Sequence, residues 1–179
     1  MSRTNGKTIP FSNYPTPGNA VRALLQSVDF RPTDRFLEPC RGEGAIYDPV
    51  PLPEPRKYWA EIRQGRDYLS TWFPEIDVII TNPPFPDAVS FLEKARGELA
   101  ADGTMIFLLR LDFLGSLKRA PFWKTFGFPH KLFILTPRPR FVGRQDSGEY
   151  AWFCWDFGNR TPGMRTLDHS IAIPRNQRA

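Results

Sequence analysis

Cysteine and histidine are scarce. Cys40 and Cys154 lie far apart in the chain, so neither a disulfide framework nor a zinc site is indicated. His130 and His169 have no metal-like company, which gives both a structural reading and leaves no resident metal expected. No apolar run approaches the roughly 20 residues of a membrane span. The N-terminal "MSRTNGKTIP" lacks the apolar core of a signal peptide, so a cytoplasmic protein with no membrane partner is the default expectation. Internal repeats are missing, and no low-complexity tract occurs beyond proline-rich pieces. Acids are outnumbered: 19 Asp and Glu against 24 Lys and Arg, a formal charge of +5 and a pI near 9.5. Such a balance suits an acidic partner such as nucleic acid, although many basic proteins bind none.

What is present is the material of one globular domain. Of the 179 residues 41% are apolar and 14% aromatic, enough for a sizeable core. Nineteen prolines impose abrupt element ends and few long helices. Residues 1–13 read as a flexible polar arm, 14–157 as the folded domain and 158–179 as a tail. After "YPTPG", Val21, Leu24, Leu25 and Val28 have helical spacing, which predicts a helix over 19–28. Strands are expected at "RFLEP" (35–39), "KYWAEI" (57–62), "DVIIT" (77–81), "TMIFLLRL" (104–111), "KLFILTP" (131–137) and "YAWFCWDF" (150–157). The "YDPVPLPEP" stretch (47–55) cannot be a regular element. A helix from about Asp87 puts Ala88, Phe91, Leu92, Ala95 and Leu99 on one face, with Asp102-Gly103 expected to close it. Strand–helix–strand alternation ending in two late strands implies an α/β fold: a mainly parallel sheet with an antiparallel C-terminal strand. In such sheets ligands bind at the carboxyl ends of strands.

"EPCRGEG" and "NPPF" both fall at such ends. In "LEPCRGEG" (37–44), Gly42 and Gly44 let backbone approach a ligand closely, and Glu38 could hold a ligand ammonium. The competing reading is a tight turn with an exposed acid. It is not a phosphate loop, because the Lys-Ser/Thr ending is missing. Glu61, at the end of the next strand, suits the two hydroxyls of a ribose, and Asp67 could accept from an adenine amine. Taken singly, both are equally plausible as ordinary surface carboxylates. "NPPF" (82–85) follows a buried strand. An exocyclic amine on an aromatic base is a poor nucleophile, since its lone pair is conjugated with the ring. Acceptors gripping both N–H bonds can turn that lone pair toward an electrophile. The Asn82 side-chain oxygen and the Pro83 carbonyl would be such acceptors, Pro83 and Pro84 would rigidify them, and Phe85 offers a face for stacking.

The order and wording of these motifs resemble the class I S-adenosylmethionine-dependent amino-methyltransferases, especially small phage and prophage adenine-N6 DNA methyltransferases. The resemblance covers roughly residues 14–157 and implies a Rossmann-like fold with S-adenosylmethionine as cofactor. It implies that "YPTP", with Tyr14 and Thr16, contacts the methionine part of the cofactor. Glu38, Pro39, Gly42 and Gly44 would form the glycine-rich cofactor motif. Glu61 matches the ribose acid, Asp67 the acid near the cofactor adenine, and Asn82, Pro83, Pro84 and Phe85 the catalytic motif. The implied reaction is methyl transfer to N6 of an adenine flipped out of DNA. RNA as substrate, a nucleic-acid-binding relic without turnover, and a glutamine methylator are the alternatives.

Two departures carry expectations of their own. Glu61 and Asp67 are too close for a crossover helix, which needs a dozen or more residues, so a shortened crossover after the second strand is expected. The tail after Phe157 is too short for a target-recognition domain, so little or no sequence preference is expected, in a monomer or homodimer. In "RPRFVGR" (138–144), Arg138, Arg140 and Arg144 can neutralise phosphates, and Phe141 can stack opposite Phe85 on an extruded base. The plainer reading is a solvated loop with one apolar anchor. Lys118, Arg119 and Lys124 could extend the basic track. Trp123, Trp152 and Trp155 read as packing residues, and Cys40 as a packing thiol.

Overall fold

Proline decides where several elements start. The computed structural model describes residues 15–139, 141 and 148–163. Pro17 precedes helix α1 (Gly18–Leu25), and its carbonyl accepts from the amides of Ala20 and Val21. Ala20, Val21 and Leu24 face inward, while Val28 lies beyond the helix end and is still buried. Strands β1 (Phe36–Glu38) and β2 (Lys57–Trp59) are short. The proline-rich stretch between them forms no regular element beyond a single 3-10 turn at Glu54–Arg56.

Between β2 and β3 (Ile76–Thr81) there is no crossover helix, only a 3-10 turn at Ile62–Gln64 and an antiparallel bridge from Glu61 to Arg66. The shortened crossover is therefore present. Helix α2 (Ala88–Glu98) buries Ala88, Phe91, Leu92 and Ala95.

The expected helix stop at Asp102-Gly103 is corrected by the structure. The backbone turns extended at Leu99, and strand β4 runs Leu99–Arg110. Ile76 pairs with Leu99 but Val78 pairs with Thr104, so Asp102 and Gly103 fall in a bulge of β4. A Cβ at Gly103 would stand 2.7 Å from Leu99 Cγ, and the Asp102 carboxylate is turned out to Arg31 at 3.0 Å. Two 3-10 turns and α3 (Ala120–Phe126) lead to β5 (Lys131–Ile134), and β6 (Tyr150–Asp156) closes the sheet.

The strand order is β2-β1-β3-β4-β6-β5. The first four of these are mutually parallel, and β6 runs antiparallel to both β4 and β5, inserted between them rather than on the rim. Alternate residues feed opposite faces. Phe36, Val78, Ile80, Ile106, Leu108 and Trp152 pack with α1 and with Ile46, Tyr47, Val50 and Leu52 of the proline-rich stretch. Leu37, Ile79, Phe107, Leu109 and Phe153 pack with α2 and with Trp123 of α3. The result is one α/β domain of Rossmann type with a mixed, mostly parallel sheet. Among the described residues no helix is long and apolar enough to cross a membrane.

Candidate functional site

Because β2, β1 and β3 are parallel neighbours, Glu61, Glu38 and Asn82 all leave the same edge of the sheet. Glu38 pairs with Trp59 in register and, by pleat alternation, shares the face of Phe36. It is not an exposed turn acid. Its side chain is 2% exposed, and Oε2 has no hydrogen-bond partner. Burial pushes its carboxyl well above the ordinary range, against the smaller opposing pull of the Tyr47 backbone amide and Arg41. A buried acid with an unmet oxygen fits a ligand that brings its own cation, such as an α-ammonium.

The turn after Glu38 is built to hold that acid in place. Pro39 is buried, Ala60 donates its amide to the Glu38 carbonyl at 2.9 Å, and Arg41 donates its amide to the Ala60 carbonyl at 2.9 Å. Gly42 and Gly44 have φ of 52° and 88°, left-handed values that favour glycine. A Cβ at Gly44 would also meet the Asp48 carboxylate at 2.6 Å. Arg41, unremarked in the sequence, lies over the rings of Tyr47 (4.8 Å) and Trp59 (5.2 Å) and pairs with Asp48 at 3.6 Å. The Cys40 thiol is raised far above its usual value by burial, so it stays protonated and is no nucleophile.

Glu61 accepts from the Gly42 amide through Oε2 (2.7 Å) and from the Arg63 amide through Oε1 (3.1 Å). It ties the end of β2 to the glycine turn, and each oxygen retains a second lone pair for a diol. Asp67 is half-buried and accepts from the Leu69 amide at 3.1 Å, while its carbonyl receives the Thr71 amide at 2.9 Å. One of its carboxylate oxygens thus organises a local turn.

Asn82 is half-buried, and its Nδ2 donates to Thr16 Oγ1 at 3.2 Å. Pro83 is buried, and Pro84 is exposed and caps the 3-10 turn Phe85–Asp87. Phe85 is half-buried, with its ring 5.9 Å from that of Tyr150 at the start of β6. Phe141 is 4% exposed and lies edge-on to Tyr150 at 4.8 Å. Tyr150 thus contacts both Phe85 and Phe141, a placement that no local pattern in "GEYAW" announced. Arg138 is exposed and pairs with Glu149 at 3.2 Å. Lys118 and Lys124 are exposed, and Arg119 lies over the Phe113 ring at 4.1 Å. Tyr14, Arg140 and Arg144 lie outside the described residues. Trp123, Trp152 and Trp155 are buried, and His130 accepts the Asp156 amide through Nδ1 at 3.0 Å.

No family model matches the chain, and no curated protein does. Solved structures do. A Vibrio vulnificus protein assigned as a modification subunit of a type I restriction enzyme superposes with a TM-score of 0.64 at 16% identity, over 86% of this chain and 45% of that one. A Listeria monocytogenes protein assigned as a class I S-adenosylmethionine-dependent methyltransferase matches with 0.54 at 13% identity, over 86% and 61%. The M protein of the type I restriction enzyme EcoKI matches with 0.52 at 11% identity, over 79% and 43%. The chain therefore spans less than two thirds of the length of these three structures. Together with the strand order and the glycine turn at the end of β1, they establish that this chain has the fold of the class I S-adenosylmethionine-dependent methyltransferases.

Proposed function

We propose that the protein is an S-adenosylmethionine-dependent methyltransferase that acts on N6 of adenine in DNA, taking the base out of the stack and showing little or no sequence preference. One observation carries most weight. A buried carboxylate with one unmet oxygen (Glu38 Oε2) and a carboxamide oriented by its own hydrogen bond (Asn82) emerge from adjacent parallel strands. The first suits the ammonium of the cofactor's methionine part, and the second suits an exocyclic amine. The fit to the cofactor also rests on the left-handed glycines and on Glu61 at the end of β2. When bound, S-adenosylmethionine supplies a sulfonium methyl as the electrophile.

This chain's residues supply binding and alignment. Glu38 neutralises the ammonium, and Glu61 takes the ribose hydroxyls while keeping Gly42 in place. Asp67 is the candidate for the cofactor adenine amine. Thr16, and Tyr14 ahead of it, belong to the segment assigned to the methionine part. Asn82 Oδ1 and the Pro83 carbonyl accept the two N6 hydrogens, Pro84 stiffens the backbone that presents them, and Phe85 stacks on the base. No side chain here needs to act as a strong base, because alignment of the lone pair is the contribution asked of Asn82. Arg138, Arg140 and Arg144 are the proposed phosphate contacts, with Phe141 supporting the aromatic wall beside the base. DNA is favoured by the restriction-modification proteins among the structures of the same fold.

The deciding experiment is incubation with labelled S-adenosylmethionine and either plasmid DNA or ribosomal and transfer RNA, followed by nucleoside mass spectrometry. N6-methyladenine in DNA is the expected product. Label confined to RNA would reassign the substrate, and cofactor binding without transfer to either would leave a binding protein. Asn82→Ala should lower transfer by about 100-fold or more while cofactor binding persists; retained methylation would refute this mechanism.

A further inference from the structure

Thr16 entered as a cofactor contact, yet the described structure gives its hydroxyl a different neighbour. We propose that Thr16 is a positioning residue for Asn82: by accepting from Nδ2 it commits the carboxamide to one of its two orientations. The inference rests on the amino-methyltransferase reading of the site.

A carboxamide is nearly symmetric in shape and opposite in chemistry at its two ends. Rotated by 180°, it would offer N–H donors to an amine that needs acceptors, and the amine's lone pair would no longer be steered. Something must therefore choose. The Thr16 oxygen accepts from Nδ2 at 3.2 Å, which leaves Oδ1 on the side of the carboxamide away from Thr16. A threonine hydroxyl at this point is also rigidly mounted. Thr16 lies between Pro15 and Pro17, whose rings fix φ on either side of it. The Pro17 carbonyl is anchored on the amides of Ala20 and Val21 at the start of α1. The side chain is β-branched and only 8% exposed, so its rotamer freedom is small. On the other side, Asn82 is followed immediately by Pro83 and Pro84. Two stiff proline-bounded segments, 66 residues apart in the chain, thus meet at this hydrogen bond. Orientation of the amide is decided before any substrate arrives.

The test compares wild type with Thr16→Val, which keeps shape and loses the acceptor, and with Thr16→Ser, which restores it. Thermal midpoints establish that each variant folds. In Thr16→Val, kcat on DNA should fall by about 10- to 100-fold, with the dissociation constant for S-adenosylmethionine by calorimetry within a few-fold of wild type. Thr16→Ser should recover most of the rate. A kcat that survives in Thr16→Val, or a loss that saturating cofactor repairs, overturns the proposal and returns Thr16 to the cofactor. A second readout needs no activity. The Asn82 side-chain NH2 resonances should move and lose exchange protection in Thr16→Val and return in Thr16→Ser; unchanged resonances overturn the proposal. If wild type transfers no methyl to any nucleic acid while these resonances behave as expected, the functional reading fails and the amide's orientation by Thr16 stands.

Discussion

Glu38 is buried with one carboxylate oxygen unpaired, and in the proposed function that oxygen serves the cofactor's ammonium. Its raised carboxyl has a signed consequence. A folded-state value above the ordinary glutamate range, near about 4.3, contributes stability that is fully present at low pH and is lost as pH rises through the raised value. Glu38→Gln does not titrate. The variant's thermal midpoint should therefore gain on wild type as pH goes from about 4 to 8, a difference that paired melting curves would measure; parallel curves would show that the acid is not perturbed. The same substitution should abolish cofactor binding, since the ammonium loses its counter-charge. Binding a cation also favours the ionised acid, so wild-type affinity for the cofactor should rise with pH through that range. Calorimetry in buffers of different ionisation heat should detect proton release on binding.

At the scale of elements, the end of β6 is tied down by one carboxylate. Asp156, with a side chain 1% exposed, accepts from Thr104 Oγ1 (2.7 Å), Thr161 Oγ1 (2.5 Å), the amides of Arg160 (2.8 Å) and Thr161 (3.0 Å), and Lys131 Nζ (3.1 Å). Burial by itself would raise its carboxyl, and these donors outweigh it and hold it far below the usual range. Arg160 is in turn paired with Asp34 at 2.5 Å, both side chains 2% exposed. The first residues of the segment that composition marks as a tail thus pin β4, β5 and β6 at the sheet end away from the candidate site. Asp156→Asn should cost on the order of 3 kcal/mol, read from denaturant midpoints, and leave cofactor affinity unchanged. Because the folded-state value is depressed, this contribution is present above the ordinary aspartate range, near about 3.9, and lost as pH falls below it. The turn after β1 offers a complementary test. Gly44→Ala places a side chain at φ 88° and against Asp48, and it should weaken cofactor binding together with stability.

Across the whole molecule, 24 basic residues against 19 acidic ones favour a polyanion, though charge alone says nothing about which. Binding to DNA should weaken steeply with salt, with log affinity linear in log salt concentration. Arg138→Ala should reduce the magnitude of that slope by about 1 unit. A salt-independent affinity would remove the phosphate contacts from the proposal.

The parts legible in the sequence were those set by neighbours along the chain. Val78-Ile79-Ile80-Thr81 had to be a buried strand, Pro83-Pro84 had to end it, and the prolines of 47–55 excluded a helix between β1 and β2. The step of six from Glu61 to Asp67 ruled out a crossover helix between them by length alone. Asp102-Gly103 misled because it has the chemistry of a helix stop. The pairing of β3 with Leu99 took the chain into a strand first, and Gly103 then served a bulge. Local spacing could not show that Glu38 is buried with an unmet oxygen, that Tyr150 contacts both Phe85 and Phe141, or that Thr16 accepts from the amide of Asn82. Those contacts join segments that are distant in sequence. They follow from which strands lie side by side and which face each alternate residue takes, and only the assembled sheet decides that.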